Sequence, residues 1–271
     1  MNDTPALSQH EDGDPFAATA AEVPPVRLRN VGYTIEDALI VEDISFDVNR
    51  GEVFGIMGMS GSGKSTLLRL IMGLIQPTAG SVEIAGTDIS RMRERKLTKV
   101  RRRIGMCFQY AALFDSMTVA ENVAFGLQRH TKLGKAEIAE IVTDCLDRVG
   151  LTGSENLRPF ELSGGMRKRV GIARAVALEP EIILYDEPSS GLDPVVASVI
   201  DGLILHLADD MGVTSVVVSH HVANLFRVAD QVLMLHEHRV EQIGSPEDLR
   251  ERPTAIAEQF VNGRPTGPIV M

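Results

Sequence analysis

The sequence predicts an α/β fold, a mostly parallel sheet covered by helices on both faces and broken by a helical insert. Three observations predict it. Short apolar runs of strand length alternate with stretches of helical period. One such run, Glu52 to Met57, passes at once into a glycine-rich turn and a helical pattern. Residues 110 to 162 carry helical patterning without a strand among them. Strand–helix alternation of this kind is what a parallel sheet requires, because each crossover back to the same edge must be long.

Taken in order, residues 1 to 24 are rich in Ala, Asp, Pro and Glu, end at Pro24-Pro25, and read as a disordered acidic tail. Val26 to Val31 and Leu39 to Val48 read as strands joined through a turn. Lys64 to Gly73 continues the glycine turn as a helix, and Ser81 to Ala85 and Ile104 to Phe108 are further strands. Thr118 to His130 is a helix opened by a Thr cap with Glu121 three residues on. Lys135 to Val149 and Gly165 to Leu178 are helices, followed by the strand Glu181 to Tyr185. Val195 to Ala208 is a helix, and Thr214 to Ser219 and Gln231 to Leu235 are strands. No repeat at a solenoid period is present.

Composition narrows the function. At 271 residues, 44% of them hydrophobic, the chain can bury a sizeable core. Aromatic content of 4% without Trp argues against a stacking reader of single-stranded nucleic acid. A net charge of −10 argues against a nucleic-acid-binding surface in general. The basic run from Arg91 to Arg103 is the exception; it suits phosphates of a polynucleotide, or a solvated helix face near anionic headgroups, and the acidic whole favours the second. Cys107 and Cys145 fit neither a disulfide framework nor a metal pattern and read as reduced thiols. The N-terminus lacks the charge and apolar stretch of a signal peptide, and no apolar run approaches the roughly 18 residues of a membrane span. Action on a membrane therefore implies a partner.

Three motifs carry chemistry. Gly58-Met59-Ser60-Gly61-Ser62-Gly63-Lys64-Ser65, followed by Thr66, fits the phosphate-binding loop in full. Its glycines let backbone N–H groups turn onto phosphates, Lys64 reaches the terminal phosphates, Ser65 offers a Mg²⁺ ligand, and the helix N-terminus favours the anion. Ile182 to Glu187 is an apolar strand ending in two carboxylates: Asp186 suits Mg²⁺, and Glu187 can accept a proton from an attacking water. Leu162-Ser163-Gly164-Gly165-Met166 opens a helix and makes a second anion site. Two phosphate sites that cannot both reach one nucleotide invite a dimer, with ATP between the loop of one copy and the Ser-Gly-Gly turn of the other.

With Gln109, Ser190-Gly191-Leu192-Asp193 and His220 added in this order, the chain from about residue 26 to 245 resembles an ABC ATPase. The resemblance implies a P-loop NTPase with a RecA-like core, an antiparallel β subdomain and an inserted helical subdomain at about 110–165. On this reading the ATPase domain is 25–246, and 247–271 form a C-terminal helix and tail. It implies that Tyr33 stacks on adenine, although a strand aromatic in the core is the plainer alternative. Gln109 resembles the glutamine that senses Mg²⁺ and couples to a permease, Asp193 the aspartate at the dimer seam, and His220 the histidine contacting the γ-phosphate. The implied catalytic set is Glu187, His220, Gln109 and Lys64, with Ser65, Gln109 and Asp186 on Mg²⁺. An Asp usually follows the histidine in that family, and His221 stands there instead, so either imidazole is open to the role; the strand Val216 to Ser219 points to His220.

The stretches Phe108 to Val119, Glu121 to Leu127 and Arg129 to Thr131, with Val216 to His221 and the ending Gln259-Phe260-Val261-Asn262-Gly263, resemble the Mla-type ATPases of Mce-linked phospholipid transporters. That implies a homodimer at the cytoplasmic face of the inner membrane, a two-copy permease providing the membrane contact, an MCE lipid-binding subunit and a STAS-domain subunit. Importers of small polar solutes share parts of these stretches. A soluble ABC-type ATPase acting on nucleic acid is the remote reading, because residues 66–161 hold neither sustained heptads nor Cys pairs. The C-terminal tail either crosses the dimer or closes the last helix on the core through Phe260 and Val261.

Overall fold

A computed structural model describes residues 23–270. The chain opens with the hairpin β1 (Val26–Ile35) and β2 (Ala38–Val48), then β3 (Val53–Gly58) and α1 (Lys64–Ile71). β4 (Ala79–Ile84), β5 (Thr87–Asp88), α2 (Glu94–Arg101) and β6 (Ile104–Cys107) follow. Helices α3 (Val119–His130), α4 (Lys135–Arg148) and α5 (Gly164–Val176) precede β7 (Ile182–Asp186), α6 (Pro194–Met211) and β8 (Thr214–Val218). The chain ends with α7 (Val222–Val228), β9 (Gln231–His236), β10 (Arg239–Gly244), α8 (Pro246–Glu251) and α9 (Ala255–Val261).

The strands form two sheets. One is antiparallel, in the order β2-β1-β4-β5; the other runs β10-β9-β3-β8-β7-β6 and is parallel apart from β10. Period-two alternation splits the central strands between two cores. Ile183, Tyr185 and Val217 face α3 to α7, whereas Ile182, Leu184, Val216 and Val218 face α1 and the antiparallel sheet. Each fully buried side chain of this size stabilises by about 1.5–3 kcal/mol.

Most elements fall within a few residues of the sequence expectation. The Thr118 cap is present: its Oγ1 accepts from Glu121 N at 3.2 Å, and Glu121 Oε2 accepts from Thr118 N at 2.8 Å. The basic run folds as α2, with Leu97 and Val100 buried and Arg91, Arg93, Arg95, Lys96 and Lys99 exposed. Two short helices stand where one C-terminal helix was expected, because Pro253 and the Thr254 cap restart the chain after Arg252. The acidic-tail expectation for 1–24 lies, apart from Val23 and Pro24, outside the described residues.

Candidate functional site

Parallel strands place their C-terminal ends along one edge, and loops leaving that edge build the site. Ile56 on β3 and Asp186 on β7 both pair with Val218 on β8. The segments that follow, at Gly58, Glu187 and His220, therefore emerge side by side. They enclose a cleft of about 640 Å³ lined by Ile40, Gly58, Met59, Ser60, Gly61, Gly63, Lys64, Ser65, Thr66, Gln109, Glu187, His220 and Phe260.

The loop between β3 and α1 is shaped by close approach as much as by turn preference. Gly63 has φ 103°, and a Cβ there would lie 2.5 Å from Val41 Cγ1. At Gly58 a Cβ would lie 2.4 Å from the Leu235 carbonyl oxygen, so only glycine fits at either place. The Lys64 ammonium is buried and donates to the carbonyls of Gly58 and Met59, both at 2.8 Å. Burial lowers its pKa, and the charges of Glu187 and Asp186 oppose that shift. Two of its three protons are thus engaged by the loop, leaving one for a ligand.

Ser65 Oγ donates to Asp186 Oδ1 at 3.1 Å. Burial raises the Asp186 pKa, the Ser65 hydrogen bond opposing it. Among the described residues no cluster of three or more His, Cys, Asp or Glu is placed to hold a metal. A hydroxyl beside one carboxylate is instead the sparse oxygen set that Mg²⁺ takes when phosphates and water supply its remaining ligands, so the residues fit that ion.

Glu187 is buried and left-handed at φ 50°, an uncommon state outside glycine. Its Oε1 accepts from His220 N at 3.1 Å and lies 2.8 Å from His220 Nδ1. Its Oε2 is buried without a hydrogen-bond partner. A buried carboxylate oxygen without a partner is an acceptor in want of a proton.

The remaining expected residues lie elsewhere. Tyr33 sits half-buried on β1 opposite Val41, packed on the β-sheet core, and does not line the cleft. Ser62 is buried beneath the loop. Ser163 caps α5, its Oγ accepting from Met166 N at 3.2 Å; Gly164 is exposed, and Gly165 packs on α6, where a Cβ would meet Val196 Cγ1 at 2.5 Å. Asp193 caps α6 through Val195 N and Val196 N. Neither the Ser163-Gly164-Gly165 turn nor Asp193 lines the cleft.

Several contributors escaped the sequence reading. Ile40 and Phe260 line the cleft from β2 and α9, which tertiary folding alone brings there. Lys168 donates to the carbonyls of Gln109 and Glu187. The available signal was spacing: Lys168, Gly171 and Arg174 share one face of α5, with a small residue between two cations.

Fold and site together define a phosphate-loop ATPase. The ABC transporter family matches residues 41–190. The chain is 39% identical over 244 residues to the intermembrane phospholipid transport system ATP-binding protein MlaF of Haemophilus influenzae, covering 90% of this chain and 92% of that protein. Identity to MlaF of Escherichia coli is 42% over 244 residues, 90% and 91% of the two chains. Identity to the probable ribonucleotide transport ATP-binding protein mkl of Mycobacterium leprae is 41% over 246 residues, 91% and 71% of the two chains. Among solved structures, the dimeric ATP-binding cassette MJ0796 in a post-hydrolysis state with ADP and Pi superposes with TM-score 0.75 at 34% identity, covering 82% of this chain and 98% of that one. CbiO1 of Clostridium perfringens gives TM-score 0.79 at 30% identity, with 89% and 96% covered. The chain belongs to the ABC transporter family, as an ATP-binding subunit that hydrolyses ATP.

Proposed function

We propose that this subunit powers phospholipid transport between the inner and outer membranes, maintaining the lipid asymmetry of the outer membrane. It works as a homodimer on the cytoplasmic face of the inner membrane, beneath a permease pair and with MCE and STAS-domain subunits. The observation that carries the reading is the match, over nine-tenths of the chain, to two proteins named for intermembrane phospholipid transport. Among the described residues no helix is long and apolar enough to cross a membrane, which fits a motor docked on a partner. A second, mostly apolar groove of about 450 Å³, lined in part by Arg102, Phe108, Phe114 and Phe125, offers the permease a seat beside Gln109.

In the proposed mechanism, Lys64 and the loop amides bind the ATP phosphates, and the Ser163-Gly164-Gly165 turn of the other copy closes over them. Tyr33 stacks on adenine, and Asp193 lies at the dimer seam. Ser65 and Asp186, with Gln109, would hold Mg²⁺, which when bound would offset phosphate charge. Glu187 takes the water proton, its Oε1 held by His220 and its Oε2 without a partner. A carboxylate only accepts, so His220 donates to Oε1 from Nδ1, and a γ-phosphate oxygen, also only an acceptor, needs an N–H donor at Nε2.

The similarity to mkl favours one second reading, a polar solute. Purifying the complex through this subunit from detergent-extracted membranes decides between them. Permease with bound phospholipid, and ATPase activity abolished by Lys64→Ala, supports lipid transport. A permease without lipid, stimulated by a soluble solute-binding protein, moves the substrate to the polar class.

A further inference from the structure

The loop that follows β6 carries Gln109, and its path is held from three directions. Lys168 on α5 donates to the Gln109 carbonyl. Arg174, further along the same helix, donates to the carbonyls of Ala112 and Ala111, both at 2.7 Å. Asn122 on α3, fully buried, accepts from Phe114 N at 2.8 Å and donates to Phe114 O at 3.2 Å. Ala111 and Ala112 are both left-handed, at φ 59° and 48°, an uncommon state that persists only where surroundings enforce it. Gly171 lets the helix approach: a Cβ there would touch Ala111 Cβ at 3.4 Å.

Lys168 does more than hold the loop. The same ammonium donates to the Glu187 carbonyl at 3.0 Å. One half-buried cation thus joins the backbone of Gln109 to that of Glu187, the residue whose side chain faces the cleft. Its helix is also the one that begins at Ser163. Burial lowers the Lys168 pKa and the Glu187 charge opposes that shift, as for a cation held between two segments of chain.

We propose that Lys168 is a positioning residue for hydrolysis, fixing the Glu187 backbone to the Gln109 loop so that the carboxylate is aligned only while that loop rests on α5. The idea rests on Glu187 being the proton acceptor and deepens that reading. Any displacement of the Gln109 loop is felt at Glu187 through one ammonium, without passing through the nucleotide. Lys168 itself lies outside the residues lining the cleft, so its loss leaves ATP binding in place.

The test uses the intact subunit in its membrane complex. In Lys168→Met, kcat falls about tenfold or more, the size of losing one charge-assisted hydrogen bond. KM for ATP and the Tm stay near wild type, and Lys168→Arg restores most of kcat. Hydrogen exchange of residues 108–114 rises in Lys168→Met while exchange within α5 does not. If Lys168→Met does not fold, Lys168→Gln, which keeps a neutral donor, takes its place. Unchanged kcat with unchanged loop exchange overturns the proposal, and so does a joint loss of kcat, ATP affinity and Tm. Near-normal turnover in Glu187→Gln overturns the proton-acceptor reading instead, and the exchange result still reports whether the bridge exists.

Discussion

His220 meets Glu187 twice, through its backbone N–H at 3.1 Å and its ring Nδ1 at 2.8 Å, both on Oε1. Two donors from one residue fix the carboxylate plane and leave Oε2 buried without a hydrogen-bond partner. Replacing Glu187 by Gln keeps the shape and removes the base. A positioned general base is worth about 10²–10⁴ in rate. Glu187→Gln is therefore expected to bind ATP normally and to lose turnover by at least that range, checked by phosphate release from the pure variant beside nucleotide titration.

The two neighbouring imidazoles are not equivalent. Their ring centroids are 4.0 Å apart, but only His220 touches Glu187 and lines the cleft. His220→Ala should lower kcat about tenfold or more, by freeing Oε1 from its charge-assisted contact. His221→Ala should change kcat less than about threefold, the scale of a surface substitution. Equal losses in steady-state assays would contradict this division of roles.

Ser65 and Asp186 share one hydrogen bond, beside the charges of Arg69 and Lys64. Asp186→Asn should raise the Mg²⁺ concentration needed for half-maximal ATPase activity by about tenfold or more, since second-shell and ligand losses have that size. Titrating Mg²⁺ at saturating ATP reads the shift directly.

Much of this site was legible in sequence because its chemistry is local. The phosphate loop lies within one strand–turn–helix unit, where Gly58, Gly63 and Lys64 have fixed roles. Asp186 and Glu187 were legible for the same reason, as the end of an apolar strand. Tyr33 was less so, because pattern alone cannot separate a strand aromatic that overhangs a ligand from one packed on a sheet, and it stands half-buried on β1 opposite Val41. The contact of Lys168 with the site and the place of Phe260 in the cleft were harder to read for a further reason: each reaches the site from a helix whose docking depends on the whole fold. The two cation–carbonyl contacts of Lys168 show in sequence only through its spacing with Gly171 and Arg174 along α5.

The edge strand β6 is tied to β7 by an ion pair with a defined pH signature. Arg103 Nε and Nη2 donate to Glu181 at 2.6 and 2.8 Å, joining the start of β6 to the start of β7. The hydrogen bond to Arg103 lowers the Glu181 pKa, burial opposing it. A depressed folded pKa means the contribution is complete above the unfolded value and fades as pH falls through the folded one. Glu181→Gln should therefore cost about 1 kcal/mol or less near neutral pH, as for a partly exposed pair. The gap from wild type in urea melts should shrink below the ordinary carboxylate range.

Phe260 offers the last test, because among the described residues it is the one aromatic side chain besides His220 that lines the cleft. It stands there because α9 is clamped. Gln259 is buried, its Oε1 accepts from Ile269 N at 2.7 Å, and its Nε2 donates to the Arg264 and Ile269 carbonyls at 3.3 and 3.2 Å. The closing segment thus folds back on the helix and holds the ring in place. Removing an aromatic that covers a nucleotide costs about 1–3 kcal/mol where a base stacks and less where the ring only shields the phosphates. Phe260→Ala should therefore weaken ATP binding by roughly fivefold or more while leaving binding of inorganic triphosphate nearly unchanged, if the ring meets the nucleoside. Equal weakening of both ligands would place its effect on the phosphate loop. Loss of neither would make Phe260 a plug for the end of α9, and the Gln259 clamp a device of stability alone.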